Sequence, residues 1–96
     1  MKKKVKLTYL KKATKFLKRN NAITEAEVDA LVIRFIKRHF YGIDVNIDYK
    51  QMQGNLSDFY RIRKGAIRII VTVQNDEIII EAIIQDIGYR GDIYRK

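Results

Sequence analysis

Apolar residues recur at every second position in the second half of the chain, a spacing typical of β-strands. The alternation from 43 to 50 predicts an extended segment, and further strands are predicted at 60–63, 67–73 and 77–85. Gly65 and the sequence QNDE at 74–77 provide turns, with Asn75 and Asp76 tolerating positive φ. The connections between these strands are short, so antiparallel pairing is expected.

The first half of the chain begins with a short strand and then changes to a helical period. Val5 and Leu7 alternate with lysines and predict the strand, after which Thr8 would cap a first helix. The helix would bury the stripe formed by Leu10, Ala13, Thr14 and Leu17. The sequence RNNA at 19–22 is expected to end it.

A second helix has the clearest local signals in the sequence. Thr24 and Glu27 have the spacing of a capping box, and Ile23 and Val28 occupy the hydrophobic-staple positions around it. Gly42 is suited to end the helix. The predicted buried stripe consists of Val28, Leu31, Val32, Phe35 and Ile36.

These elements predict one α+β domain over residues 1–96, in which two N-terminal helices pack on a small antiparallel sheet. The predicted order of elements is β-α-α-β-β-β. The last ten residues, IGYRGDIYRK, are too short and glycine-rich to predict another element.

The positive charge is concentrated at the start of the chain. Residues 1–19 contain nine of the 20 lysines and arginines and no acid, and they account for the whole net charge of +9. A polyanion is therefore the expected partner, whether nucleic acid, an acidic protein segment or an anionic membrane. The alternative is a solvated helix face that only promotes solubility.

Several classes of protein are disfavoured by composition. The chain has no cysteine, so neither disulfides nor thiolate chemistry is expected. No apolar run approaches the length of a membrane span, and the basic N-terminus lacks the apolar core of a signal peptide. We therefore expect a cytoplasmic protein without a membrane partner.

The segment YRIRKGAIR, Tyr60 to Arg68, places arginines on predicted strands. Arg61 and Arg63 share one strand face, and a turn at Gly65 would bring Arg68 beside them, away from the core. Guanidinium groups pair with phosphates through two parallel hydrogen bonds. The cluster therefore predicts an anion site, and the alternative is an ordinary solvated outer face of a two-layer fold.

Segment 59–95, FYRIRKGAIRIIVTVQNDEIIIEAIIQDIGYRGDIYR, resembles the C-terminal half of the RelE/ParE superfamily of bacterial toxins. The shared pattern is an aromatic residue, R-x-R-x-G, another arginine, two aliphatic strands with an acidic turn between them, and a final I-G-x-R with a later tyrosine. YKQMQGNLSD at 49–58 is similar to a preceding K-x-L-x-G segment of the family, and KLTYLKKATKFLKR at 6–19 resembles its first strand and helix.

This resemblance implies an endoribonuclease that cleaves mRNA, in many members on the ribosome, by attack of a 2′-hydroxyl on the adjacent phosphate. It also implies an acidic antitoxin as partner. The acids of the chain are scattered without paired spacing and no glycine-rich nucleotide loop occurs, so neither a metal nor a cofactor is expected. By position, the implied catalytic residues are Arg61, Arg63, Arg68, Arg90 and Tyr94. Contacts with RNA are expected from Lys11, Lys15, Lys18, Lys50, Lys64 and Tyr89.

Two residues lead to different expectations. Family members usually carry lysine or histidine where this chain has Tyr89, which could stack on RNA instead. His39, the only histidine, is predicted to cap a helix end and not to take part in catalysis.

Arg68 and Arg90 lie off the predicted core, so their replacement by alanine is expected to relieve toxicity and to leave the fold intact.

Other functions remain open at this stage. A ParE-like toxin would bind DNA gyrase without cleaving RNA, and a degenerate relative would be a non-toxic module that binds nucleic acid. ParE-like members typically lack the full basic set, so retention of these arginines favours the nuclease.

Overall fold

The computed structural model describes residues 3–89. Its strands are β1 (Lys4–Tyr9), β2 (Tyr49–Gln51), β3 (Tyr60–Lys64), β4 (Ile67–Asn75) and β5 (Ile79–Tyr89). Its helices are α1 (Lys11–Arg19) and α2 (Glu25–Tyr41), and a 3-10 turn spans Gly54–Leu56.

The five strands form a single sheet in the order β1-β5-β4-β3-β2. β2 to β5 pair antiparallel, whereas β1 runs parallel to β5 at the edge. The α+β class and the two helices on one sheet are confirmed. The sheet is mixed and not purely antiparallel. The two helices follow β1 in the chain, and β1 pairs in parallel with β5, the last strand.

Helix α2 begins and ends where its local sequence predicts. The Thr24 hydroxyl accepts a hydrogen bond from the Glu27 amide at 3.1 Å, and the Glu27 carboxylate accepts one from the Thr24 amide at 3.0 Å. Gly42 ends the helix with φ +65°, in the left-handed region that favours glycine. All five residues of the predicted stripe are buried, so the capping box and the core face are confirmed.

Other local predictions are wrong because long-range strand pairing prevails over them. Thr8 lies inside β1 and donates to the Glu81 carboxylate at 2.7 Å, so Leu10 and not Thr8 precedes α1. Pairing with β5 holds β1 extended as far as Tyr9. The predicted turn between β4 and β5 is present, since β4 ends at Asn75 and β5 begins at Ile79, although neither Asn75 nor Asp76 adopts positive φ. Of the alternating segment 43–50, only the end joins the sheet, as β2.

Both helices cover the same face of the sheet. The core between them contains Ala13 of α1, the stripe of α2, and alternate strand residues such as Ile62, Ile69 and Ile84. The opposite face, which we call the far face, carries the residues between these positions. None of the helices within residues 3–89 is long and apolar enough to cross a membrane.

Candidate anion-binding site

Four basic residues of the far face come from three neighbouring strands, β2 to β4. Lys50 pairs with Arg61, Arg61 with Ile70, and Ile70 with Asp86. These four residues, which we call the Arg61 row, cross the sheet in one line from β2 to β5. Arg63 pairs with Arg68 in the next line. The structure therefore brings Lys50, Arg61, Arg63 and Arg68 onto one face.

Arg61 is the best candidate in this group for gripping an anion. Its side chain is partly buried, and its Nε is shielded from solvent without a hydrogen-bond partner among residues 3–89. A buried donor without an acceptor costs about 1–3 kcal/mol. A phosphate bound to the guanidinium would neutralise its charge, and it would also satisfy the Nε donor once the side chain turns to expose that atom.

Arg63 already has an acidic partner within the chain. Its Nε donates to the Asp48 carboxylate at 2.6 Å, and its backbone amide donates to the Asp48 carbonyl at 2.9 Å. About half of each side chain is exposed. A solvated pair of this kind is weak, so a polyanion can compete with Asp48 for the guanidinium.

Arg68 is more deeply buried than its place in the sequence suggests. Only 5% of it is exposed, and its Nη1 donates to the Gly65 carbonyl at 3.0 Å. It lies outside the hydrophobic core, as predicted, but it is not a surface side chain. The expectation that alanine at this position leaves the fold untouched is therefore replaced by an expected loss of stability.

Several predicted RNA contacts point to the other side of the sheet. Lys64 is bonded to the Glu27 carboxylate at 2.9 Å, and this hydrogen bond lowers the pKa of Glu27. The Tyr89 ring packs edge-on against Phe16 of α1, with centroids 5.5 Å apart. The helix lysines are exposed on α1, away from the arginines: Lys11, Lys15 and Lys18.

Two implied catalytic residues, Arg90 and Tyr94, lie outside the described residues. The described part of β5 ends at Tyr89, one residue after Gly88, which pairs with Arg68. The proposed participation of Arg90 and Tyr94 therefore remains a prediction from the resemblance.

His39 belongs to an aromatic cluster on the helix side of the sheet. Its ring lies 4.8 to 5.6 Å from the ring centroids of Phe35, Phe40, Tyr49 and Tyr60. Its Nδ1 lies 3.1 Å from the Tyr49 hydroxyl. These contacts fasten the end of α2 to β2 and β3, on the face opposite the arginines. No group of three potential metal ligands occurs among residues 3–89.

Sequence reasoning did not assign Asp48 and Asp86 to the far face. Asp86 reaches this face through a β-bulge between the Ile70 and Val71 positions of the β4–β5 ladder. The signal was present in the sequence, since IIQDIG places two polar residues where strict alternation allows one. Asp48 alternates with Lys50 in the extended segment and so shares its face.

Comparison with solved structures finds the same fold in several toxins. A copper-bound mutant toxin from Helicobacter pylori is 16% identical, with a TM-score of 0.70 over 93% of this chain and 98% of that chain. The YoeB/ParE toxin from Agrobacterium tumefaciens is 15% identical, with a TM-score of 0.66 over 88% and 98%. The RelB–RelE antitoxin–toxin complex from Methanococcus jannaschii contains a chain that is 22% identical, with a TM-score of 0.62 over 91% and 94%.

No protein-family model and no curated protein matches the sequence. The molecule nevertheless has the fold of the RelE/ParE-type toxins. The superfamily resemblance seen in the sequence is thus confirmed at the level of fold.

Proposed function

We propose that this protein is the toxin of a type II toxin–antitoxin system and that it cleaves mRNA. The observation that carries the proposal is Arg61, a partly buried cation whose Nε lacks a partner within residues 3–89. It stands on a sheet face shared with Arg63, Arg68 and Lys50. The toxin fold and the segment resemblance support the same assignment.

The proposed chemistry is transfer of the phosphate to the neighbouring 2′-oxygen. The 2′-hydroxyl attacks, a pentavalent phosphorane forms, and the 5′-oxygen leaves to give a 2′,3′-cyclic phosphate. Arg61 and Arg68 would stabilise the negative charge that develops on the phosphorane. Arg63 would release the Asp48 carboxylate and bind a flanking phosphate instead, which would orient the RNA. Guanidinium rarely gives up a proton, so the leaving oxygen takes its proton from water or from the ribosome.

The proposed partners follow from the charge distribution and from one structural relative. The methanogen relative is an antitoxin–toxin complex, and an acidic antitoxin would complement a chain with net charge +9. The lysines of α1 would add salt-sensitive contacts with ribosomal RNA. These contacts lie on the helix side, so they would hold the ribosome and not the scissile linkage.

Primer extension on a translated mRNA tests this function. Expression should give discrete cleavage sites within the reading frame, and the fragments should end in a 2′,3′-cyclic phosphate and a 5′-hydroxyl. Intact mRNA together with gyrase-dependent DNA breaks would instead support the ParE-like alternative. Intact mRNA without DNA damage would leave a module that only binds nucleic acid.

Replacing Asp48 with asparagine should tighten RNA binding. The change releases Arg63 from its internal partner, which is worth about 0.2–1 kcal/mol for an exposed pair, or up to about fivefold in the dissociation constant. The slope of log affinity against log salt should steepen by about 0.7 if one more phosphate is neutralised. Fluorescence anisotropy with a 2′-methoxy single-stranded RNA measures both quantities.

The matched control for this test is Asp44→Asn. Asp44 pairs with Arg38 at 2.8 Å, so the substitution frees an arginine and changes the net charge equally, but away from the far face. If both variants bind RNA with the same gain, the effect is one of net charge, and a phosphate site at Arg63 is contradicted.

A further inference from the structure

A β-bulge shapes the far face next to the arginines. In the β4–β5 ladder Ile70 pairs with Asp86, whereas Val71 pairs with Ile84, so Gln85 is the extra residue. Ile84 and Ile87 therefore both face the core, and the two polar residues between them are directed to the far face. Bulges are frequent beside active sites because they redirect side chains.

The bulge is held in place by a side-chain hydrogen bond across the ladder. The Gln85 amide donates to the Thr72 hydroxyl at 3.0 Å, and both side chains are partly buried. The Gln85 side chain therefore stabilises the bulge. Its neighbour Asp86 is also partly buried, but no hydrogen bond or ion pair joins its carboxylate to another residue of 3–89.

Asp86 stands at the end of the Arg61 row. Two strand spacings separate its backbone from that of Arg61, or about 10 Å, and Ile70 lies between them. The long guanidinium side chain of Arg61 can reach over Ile70 toward the carboxylate. A phosphate held by Arg61 would thus have an unengaged carboxylate on its other side.

We propose that Asp86 is the general base of the reaction, an inference that rests on the proposed ribonuclease function. The Asp86 carboxylate takes the proton of the attacking 2′-hydroxyl as the bond from the 2′-oxygen to phosphorus forms. The bond from phosphorus to the 5′-oxygen breaks, and that oxygen is protonated by water. Asp86 then releases its proton to solvent, which restores the carboxylate.

Electrostatics provides a way to separate this role from a role in binding. A carboxylate repels the RNA phosphates, so an Asp86 with no catalytic task would only weaken binding. Its removal should therefore leave RNA affinity equal or higher. A base, in contrast, accelerates the proton transfer by typically 10²–10⁴-fold. Slower cleavage despite undiminished binding is the combination expected of Asp86 as the base.

The first test measures single-turnover cleavage of mRNA on programmed ribosomes by the wild type and by Asp86→Asn. We expect the variant to cleave about 10²-fold more slowly and to bind a 2′-methoxy RNA at least as tightly. Glu81→Gln is the matched control, since Glu81 is another far-face acid but is bonded to Thr8. It should cleave at the wild-type rate.

Each outcome of this test has a distinct meaning. Wild-type rates for Asp86→Asn would overturn the base assignment and leave the ribonuclease function standing. Absence of cleavage by the wild type would overturn the function itself. If thermal unfolding shows that the asparagine variant is destabilised, Asp86→Glu decides, because it keeps a carboxylate. An equal loss of cleavage rate in Asp86→Asn and Asp86→Glu would overturn the assignment.

The second test distinguishes a base from an acid. An mRNA with a single 5′-sulfur at the mapped linkage has a leaving group that needs no proton. The defect of Asp86→Asn should persist on this RNA if Asp86 acts on the 2′-hydroxyl. Rescue of the variant by the sulfur substrate would show that Asp86 serves the leaving group, and the proposal would then be wrong.

Discussion

Replacing Arg61 with glutamine is expected to slow single-turnover mRNA cleavage by about 10²–10³-fold, the loss typical when one preorganised donor to a developing anion is removed. The reason lies in the Nε of Arg61, which is buried without a partner within residues 3–89. Within residues 3–89 this donor is unsatisfied, and in the complex it would meet phosphate once the side chain turns to expose it. Glutamine keeps a polar side chain but lacks the charge.

The fold should survive the Arg61 substitution, because the Arg61 side chain donates no hydrogen bond to another described residue. A thermal unfolding curve establishes this independently of activity. Arg34→Gln is the matched control, since it removes another arginine, from α2, and lowers the net charge equally. Equal rates for Arg61→Gln and Arg34→Gln would mean that only overall charge matters.

Replacing Arg68 with alanine is expected to lower the free energy of unfolding by about 2 kcal/mol, within the range for hydrogen bonds of charged groups. Arg68 is buried, and its guanidinium holds the Gly65 carbonyl at the β3–β4 turn. With alanine at position 68, the Gly65 carbonyl loses its hydrogen-bond donor and a cavity remains where the guanidinium was. For a domain of this size the melting temperature should fall by about 8–16 °C.

The control for Arg68 is its cross-strand neighbour Arg63. Arg63→Ala removes the same kind of side chain, but that side chain is half exposed, so the expected loss is at most about 1 kcal/mol. Denaturant unfolding of both variants measures the difference. An Arg68→Ala protein as stable as the wild type would contradict the structural role of this guanidinium. Its cleavage rate must be compared at temperatures where it is fully folded.

The success of prediction from the sequence depended on how local each signal was. The capping box of α2 and the glycine at its end involve residues close in sequence, and both were predicted correctly. The strand alternation also placed Arg61, Arg63 and Arg68 on one face, because a tight turn joins β3 to β4. Local chemistry and short connections were sufficient for these features.

Features that depend on distant pairing were harder to predict. The bulge that turns Asp86 to the far face exists only in the ladder between β4 and β5, and the burial of Arg68 depends on what surrounds that ladder. Lys64 was assigned to RNA although alternation places it on the same face as Ile62. The structure resolves this, since Lys64 is bonded to Glu27 of α2.

The molecule has two basic surfaces on opposite sides of its sheet. One is the lysine face of α1, and the other is the far face with Arg61. Net charge alone favours the N-terminal segment, because residues 1–19 carry the whole excess and five of their nine cations lie on α1. We expect the scissile phosphate to bind on the far face instead, where the cations stand on strands and Arg61 has a donor without a partner among residues 3–89.

An NMR titration with a 2′-methoxy single-stranded RNA tests the far-face phosphate site most directly. The Nε–H resonances of the arginines and the backbone amides of α1 are followed in the same experiment. We predict that the Arg61 Nε–H resonance shifts strongly and saturates at the lowest RNA concentrations. Saturation of the α1 amides with an unchanged Arg61 resonance would contradict a phosphate site at Arg61.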